Sequence, residues 1–149
     1  MKNIQDNQRE ATLYAYLAGI IDGEGTIRIA RTKSDNPNWS LKYSGAISIG
    51  MTDKKVIQLF VKTFGAKMRI ECVSNRKLIY RWGTSGNQKV PIILKPLLPY
   101  LRVKKKQAEL VIRYCENCQK NGYRRNKRLP KKELQWRGAL YQKVRNLNH

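Results

Sequence analysis

The chain has 149 residues, of which 31 are Lys or Arg and 10 are Asp or Glu, so its formal net charge is +21. With 41% apolar residues it can build one folded domain, which excludes a disordered basic tail. Such a chain repels itself unless it binds a polyanion, which favours nucleic acid first and an acidic membrane surface second. No apolar run approaches the roughly 20 residues of a membrane span, and the N-terminus has no signal-peptide core. We therefore expect a soluble, intracellular protein with no membrane partner, located in the cytoplasm or nucleoid, or in an organelle if the source is eukaryotic.

The first half of the chain predicts two helices and four strands. An apolar segment of helical length covers residues 10–22. Alternating apolar and polar residues in TIRIARTK and LKYSGAISIGM predict two strands that are separated by a turn. The next segment predicts a helix that is N-capped by Thr52 and ends at Gly65. Residues 66–85 then predict a hairpin with its turn at SNR.

The second half is predicted to be helical. It contains a short helix with proline interruptions (87–101), a longer helix (104–119), a basic loop (120–132) and a last helix from about 133 to 146. Because hairpins join the strands, we expect an α+β fold with a four-stranded antiparallel sheet and helices on one face, in the order αββαββα. We expect a single domain over 1–149, with a core of about 10–118 and a basic extension with a helix over 119–149.

One face of the predicted sheet is basic and carries small side chains. Ile27 and Ile29 are expected to point to the helices, as are Ile70 and Leu78 of the hairpin, whereas the residues that alternate with them point away. Small side chains on the second strand allow a bulky partner to approach closely, and a curved basic sheet fits the DNA major groove. We predict that this face binds DNA, and an ordinary solvated face is the alternative. The predicted DNA-binding residues of the sheet are Arg28, Ala30, Thr32, Ser34, Lys42, Ser44, Ser48, Lys67, Arg69, Glu71, Arg76, Lys77 and Arg81.

The C-terminal third is also strongly basic, with 12 Lys or Arg against 2 acids between residues 102 and 132. We expect this segment to follow the phosphate backbone through Lys106, Arg124 and Arg125, although a solvated loop would explain any one of them.

The cysteines raise the possibility of a zinc site. Cys115 and Cys118 form a CxxC, but a structural zinc site needs four ligands, and only Cys72 and His149 remain as the usual partners. The CxxC also lies in a predicted helix. Buried or unused thiols are therefore favoured over zinc.

The first helix carries small residues at intervals of four and ends in acids. Ala15, Gly19 and Gly23 line one stripe, which lets two backbones pack closely. If the helix pairs with a copy of itself, two Glu24 carboxylates meet at one end of the interface, and they repel each other unless divalent cations bind them. Magnesium fits a site of carboxylates, water and phosphate oxygens, and two such sites would hydrolyse both strands of a duplex. A core helix that happens to end in acids is the alternative.

The stretch that ends this helix resembles a known family motif. LAGIIDGEG, from Leu17 to Gly25, is similar to the motif of the LAGLIDADG homing endonucleases, with Glu24 at the acidic eighth position. The order of helices and strands also matches that family, and LRVKKKQAELV (101–111) is similar to the segment that carries its active-site lysine. The resemblance covers most of residues 12–118.

The resemblance implies roles for individual residues. Glu24 would be the metal-binding acid, with Gly23 in the same site, Mg²⁺ as the cofactor and Mn²⁺ able to substitute. Lys104 would be the active-site lysine, with Lys106 or a plain phosphate contact as alternatives. Asp53 would lie near the hydrolytic water, although an acid at a helix N-terminus is equally expected there.

A single copy of the motif implies a homodimer whose interface contains Ala15, Gly19, Asp22 and Gly23. The family then implies an intron-encoded double-strand DNA endonuclease that cuts a long, nearly palindromic target and leaves short 3′ overhangs. The alternatives are binders that do not cut, such as an intron RNA maturase or a DNA-binding regulator.

Overall fold

The computed structural model describes residues 1–33, 35–36, 41–121 and 128–148. Its elements, in chain order, are α1 (Ile4–Glu24), β1 (Gly25–Thr32), β2 (Lys42–Met51), α2 (Lys54–Phe64), β3 (Arg69–Val73), β4 (Lys77–Ser85), α3 (Lys89–Leu97), a 3₁₀ turn (Leu98–Tyr100), α4 (Lys105–Lys120) and α5 (Lys131–Leu147). The predicted α+β class and the order αββαββα are confirmed.

The four strands form an antiparallel sheet in the order β1-β2-β4-β3. Its register pairs Ile27 with Ile47 and Ile49 with Trp82, so these apolar side chains share one face. β1 is an edge strand, and α5 packs along it. A helix over an exposed edge prevents other chains from pairing with it.

The core lies between that apolar face and the helices. α1 contributes Leu17 and Ile21, α2 contributes Phe60, and all three are fully buried together with Trp82 of β4. Burial of each such side chain contributes about 1.5–3 kcal/mol, so these contacts fix α1 against the sheet. None of the helices in the described part of the chain combines the length and the apolar content needed to cross a membrane.

α4 packs directly on the backbone of β2 at Gly45. A Cβ atom added there would lie 2.5 Å from Cys115 Sγ and 3.1 Å from a methyl group of Val111. Only glycine allows this approach, which places α4 close to the sheet.

Three details differ from the sequence-based predictions. α1 begins at Ile4 rather than at residue 10, because its first turns are polar and carry no apolar periodicity. The N-cap of α2 is Asp53 rather than Thr52, since Asp53 Oδ1 accepts hydrogen bonds from the backbone N–H groups of Lys55 (2.9 Å) and Val56 (3.3 Å).

The third difference concerns the β3–β4 hairpin. Ile70 and Leu78 were expected on the face that the helices cover, but they are 56% and 46% exposed, and every residue of β3 is exposed. The helices pack mainly on β1, β2 and β4, so the outer part of the hairpin extends beyond them.

Candidate active site and nucleic-acid interface

The end of α1 is tied to the segment that precedes α4 by three hydrogen bonds. The Asp22 carboxylate accepts from the backbone N–H of Arg102 (2.8 Å) and from that of Lys104 (2.9 Å). In return, Lys104 Nζ donates to the backbone carbonyl of Asp22 at 2.6 Å. These contacts join residues about eighty positions apart and hold the half-buried Lys104 at the tip of α1.

Glu24 is the last residue of α1, and its side chain is exposed. The next residue, Gly25, is buried, and a Cβ atom there would lie 2.9 Å from the Cα and carbonyl oxygen of Ile21. Glycine therefore lets the chain pass from helix to strand without a spacer. Among the described residues, none donates a hydrogen bond to the Glu24 carboxylate, which distinguishes it from Asp22.

This helix end suits a hard divalent cation. Carboxylates, backbone carbonyls and water are the ligands that Mg²⁺ prefers. The last carbonyls of an α-helix have no partner within the helix and carry partial negative charge, and those of Gly23 and Glu24 lie at this end of α1. Within the described ranges, no three His, Cys, Asp or Glu side chains form a metal-binding group. The donors that this helix end offers are the Glu24 carboxylate and the Gly23 carbonyl, and water and phosphate oxygens would complete a metal shell.

The small residues of α1 lie on its exposed side. Ala15, Gly19 and Gly23 are exposed, whereas Leu17 and Ile21 face the core. In the described part of the chain, nothing outside the helix backbone comes within 4 Å of a Cβ position at Gly19 or Gly23. This small-residue stripe can accept a second helix at close range. Asp22, also predicted for the interface, uses both carboxylate oxygens within its own chain.

The structure brings the predicted DNA-binding residues of the strands onto the face opposite the core. Register places Arg28 beside Ala46, and Arg81 beside both Gly50 and Arg69. Ala30, Ser44 and Ser48 are half-buried; the exposed members are Arg28, Thr32, Lys42, Lys67, Arg69, Glu71, Arg76, Lys77 and Arg81, and Lys106 on α4 is also exposed. Ser34, Arg124 and Arg125 lie outside the described residues.

Arg81 has a defined orientation on this basic face. Its Nε donates to Glu71 Oε2 at 2.6 Å, and a Cβ atom at Gly50 would lie 2.9 Å from its Nη1. The guanidinium therefore lies across β2 over Gly50, with Glu71 as its ion-pair partner. Glu71, predicted to contact DNA, orients Arg81 in this structure.

Asp53 and the cysteines have structural roles. Asp53 Oδ1 caps α2, which is the alternative that its position in the sequence allowed. Burial raises the pKa of the Cys115 thiol to about 12, and it raises that of Cys118 as well, so both remain protonated near neutral pH. Cys72 is exposed on β3. None of the three is in a disulfide.

A set of residues between β1 and α5 did not follow from the sequence. Arg31, Tyr141, Arg145 and Asn148 lie together there with Lys104. Arg31 falls on the helix side of β1 by alternation. Tyr141 and Arg145 lie on α5 and Asn148 caps its end, more than a hundred residues later. Only the high basic content of the C-terminal third hinted at their participation.

Comparisons with known proteins bear on this geometry. Residues 17–118 match a family model described as LAGLIDADG endonuclease. The DNA endonuclease I-CreI of Chlamydomonas reinhardtii is 30% identical over 101 residues, which cover 68% of this chain and 61%, less than two thirds, of that protein.

Solved structures show the same fold. The homing endonuclease I-CvuI in complex with the I-CreI target is similar with a TM-score of 0.76 and 19% identity, over 93% of this chain and 83% of that one. The archaeal intron-encoded homing endonuclease I-Vdi141I complexed with DNA gives a TM-score of 0.74 and 17% identity, over 94% of this chain and 86% of that one.

Proposed function

The chain belongs to the LAGLIDADG endonuclease family, and on that premise we propose that it is a homing endonuclease that cuts both strands of a long, nearly palindromic DNA duplex as a homodimer. The observation that carries the proposal is the end of α1. There the exposed carboxylate of Glu24, which accepts no hydrogen bond from the described residues, adjoins an exposed stripe of small residues and a fixed lysine.

A divalent cation, Mg²⁺ or Mn²⁺, would supply Lewis-acid activation of the scissile phosphate and of a water molecule. Glu24 and the Gly23 carbonyl would hold it. Lys104 would stabilise the negative charge that develops on the phosphate, because the Asp22 contacts fix its position before DNA binds. A catalytic role for Asp53 stays a prediction, since its Oδ1 already caps α2.

The homodimer would form through the small-residue stripe of α1. Two-fold pairing brings the two Glu24 carboxylates to one end of the interface, so each subunit supplies one acid and one half of the DNA-binding surface. Two copies of +21 give +42, which is consistent with many phosphate contacts along a long target. Short 3′ overhangs and an intron-encoded origin are the further expectations that family membership carries.

Cleavage of a randomised duplex library with and without Mg²⁺ tests the catalytic part. We expect the native chain to select a near-palindromic site, Glu24→Gln to bind it without cutting, and Asp6→Asn, a change at another exposed acid of α1, to cut normally. Equal cutting by native chain and Glu24→Gln would overturn the assignment of Glu24. If the native chain and Glu24→Gln bind one site and neither cuts it, a DNA-binding regulator is favoured. If the native chain instead retains intron RNA in a parallel binding assay, a maturase is favoured.

Gly19→Leu tests the dimer separately. Since nothing surrounds the Cβ position in the described chain and leucine favours helix over glycine, the subunit should fold normally. We expect analytical ultracentrifugation to show monomers, and cutting to be lost. A dimer that survives this change would place the interface elsewhere.

A further inference from the structure

A cleft of about 550 Å³ lies between β1 and α5, next to the end of α1. Four of its ten lining residues are cationic, and none of the lining residues from the described part of the chain is Asp or Glu. These cations are Arg28, Arg31, Lys104 and Arg145. A binding cleft for a small neutral molecule is mostly apolar, so the lining indicates an anion instead.

Two hydrogen bonds, one to β1 and one from α4, fix the C-terminal end of α5 beside the strand. Asn148 Nδ2 donates to the backbone carbonyl of Ile27 in β1 at 3.0 Å. Gln107 Nε2, on α4, donates to the carbonyl of Leu147 at 3.1 Å. The last turn of α5 is thus held from both sides, and the cleft has a defined wall.

Arg31 is held by a ring contact, and its N–H groups donate no hydrogen bond to the described residues. Its guanidinium carbon lies 4.9 Å from the centre of the Tyr141 ring, which in turn packs edge-on against Tyr43 with ring centres 5.8 Å apart. A cation–π contact orients the guanidinium plane but leaves its N–H groups available to an acceptor. Arginine in this state is suited to bind two oxygens of a phosphate.

We propose that this cleft binds a backbone phosphate of the bound duplex, with Arg31 and Arg145 as its ligands. This inference rests on the proposed function. The four cations repel one another, and an anion among them removes that penalty. Arg28 belongs to the basic sheet face and Lys104 to the active site, so the cleft adjoins both. It takes a phosphate of the strand that passes from the sheet toward Glu24, and α5 forms a wall of the DNA channel.

Arg145→Gln and Lys143→Gln form a matched pair. Both residues are exposed on α5, two positions apart, and each change removes one positive charge, but only Arg145 lines the cleft. The measurement is the dissociation constant for a mixed-sequence duplex, long enough to cover a dimer, at several salt concentrations. Log affinity falls as log salt rises, and each lost phosphate contact makes this negative slope shallower by about 0.9.

We expect Arg145→Gln to make the slope shallower by about 0.9 for each bound subunit, and Arg31→Gln to do the same. Arg145→Lys and Lys143→Gln should keep the native slope. Equal slopes for Arg145→Gln and Lys143→Gln would overturn the cleft while leaving the endonuclease proposal intact. A native chain that binds no duplex at all would overturn the endonuclease proposal itself. Unchanged thermal unfolding of each variant excludes a folding defect as the cause.

Discussion

Replacement of Asp22 by alanine should uncouple the end of α1 from the segment before α4. The change removes the acceptors of the Arg102 and Lys104 backbone N–H groups, which lie 2.8 and 2.9 Å from the carboxylate oxygens. The bond from Lys104 Nζ goes to a backbone carbonyl, so it does not depend on the carboxylate directly. We therefore expect a loss of stability, together with a Lys104 side chain whose position is less well fixed.

The magnitude follows from the two hydrogen bonds. A bond to a charged acceptor contributes about 1.5–3 kcal/mol, but Arg102 is exposed and water replaces part of what is lost. The lower end of the range, discounted for that exposure, gives about 2 kcal/mol for the pair. For a chain of this size, that corresponds to a fall of about 4–8 °C in the unfolding temperature.

Thermal unfolding at fixed protein concentration, with cleavage measured on the same samples, checks this expectation. Glu24→Gln is the matched control, because Glu24 lies two residues further along the same helix and accepts no hydrogen bond from the described residues. It should abolish cutting and leave the unfolding temperature unchanged. If Asp22→Ala unfolds at the native temperature, or if Glu24→Gln is destabilised as strongly, the Asp22 carboxylate does not stabilise the fold through these two hydrogen bonds.

Three further outcomes are expected. Gly45→Ala should lose about 1–3 kcal/mol in thermal unfolding, because its Cβ would lie 2.5 Å from Cys115 Sγ, and adding Cys115→Ala should restore part of the loss. Gly50→Ala should fold but displace Arg81, which would appear as an altered base preference in a cleavage selection; an unchanged preference would contradict the orientation of that guanidinium. Burial raises the pKa of Cys115 from 9.0 to about 12, so the stability that its neutral thiol contributes is present below about pH 9 and is lost as pH rises toward 12. Iodoacetamide at neutral pH should accordingly modify Cys72 and spare Cys115, as mass spectrometry would show.

Periodicity in the sequence was enough to predict the sheet and most of the helices. Ile27, Ile29, Ile47 and Ile49 alternate with polar or small residues, which indicates strands, and apolar residues at helical spacing indicate the helices. It could not show how far the covering helices extend, so exposed Ile70 was expected to be buried. Nor could it choose between neighbouring capping residues, since Thr52 and Asp53 are both good N-caps and only the path of the chain favours the second.

The candidate site was predictable where the motif is local and not where it is assembled from distant segments. Glu24 and Gly23 follow from the motif itself. The hydrogen bonds between Asp22 and residues 102–104 depend on how α4 meets α1, which no local pattern specifies. The same is true of the hydrogen bond between Asn148 and Ile27, which joins residues 121 positions apart beside the cleft.

Helix geometry explains how two acids so close in sequence can have such different environments. Residues at i and i+2 of an α-helix point to opposite sides, so Asp22 faces the segment before α4 while Glu24 faces away from it. Both Asp22 oxygens can then accept hydrogen bonds from backbone N–H groups, including that of Lys104, while the Glu24 carboxylate accepts none from the described residues. A spacing of three or four residues would put both acids on one side, where the same N–H groups could also bind the second carboxylate. The buried Gly25 completes the arrangement, because it starts β1 at once and so carries Arg28 from the helix end onto the basic face of the sheet.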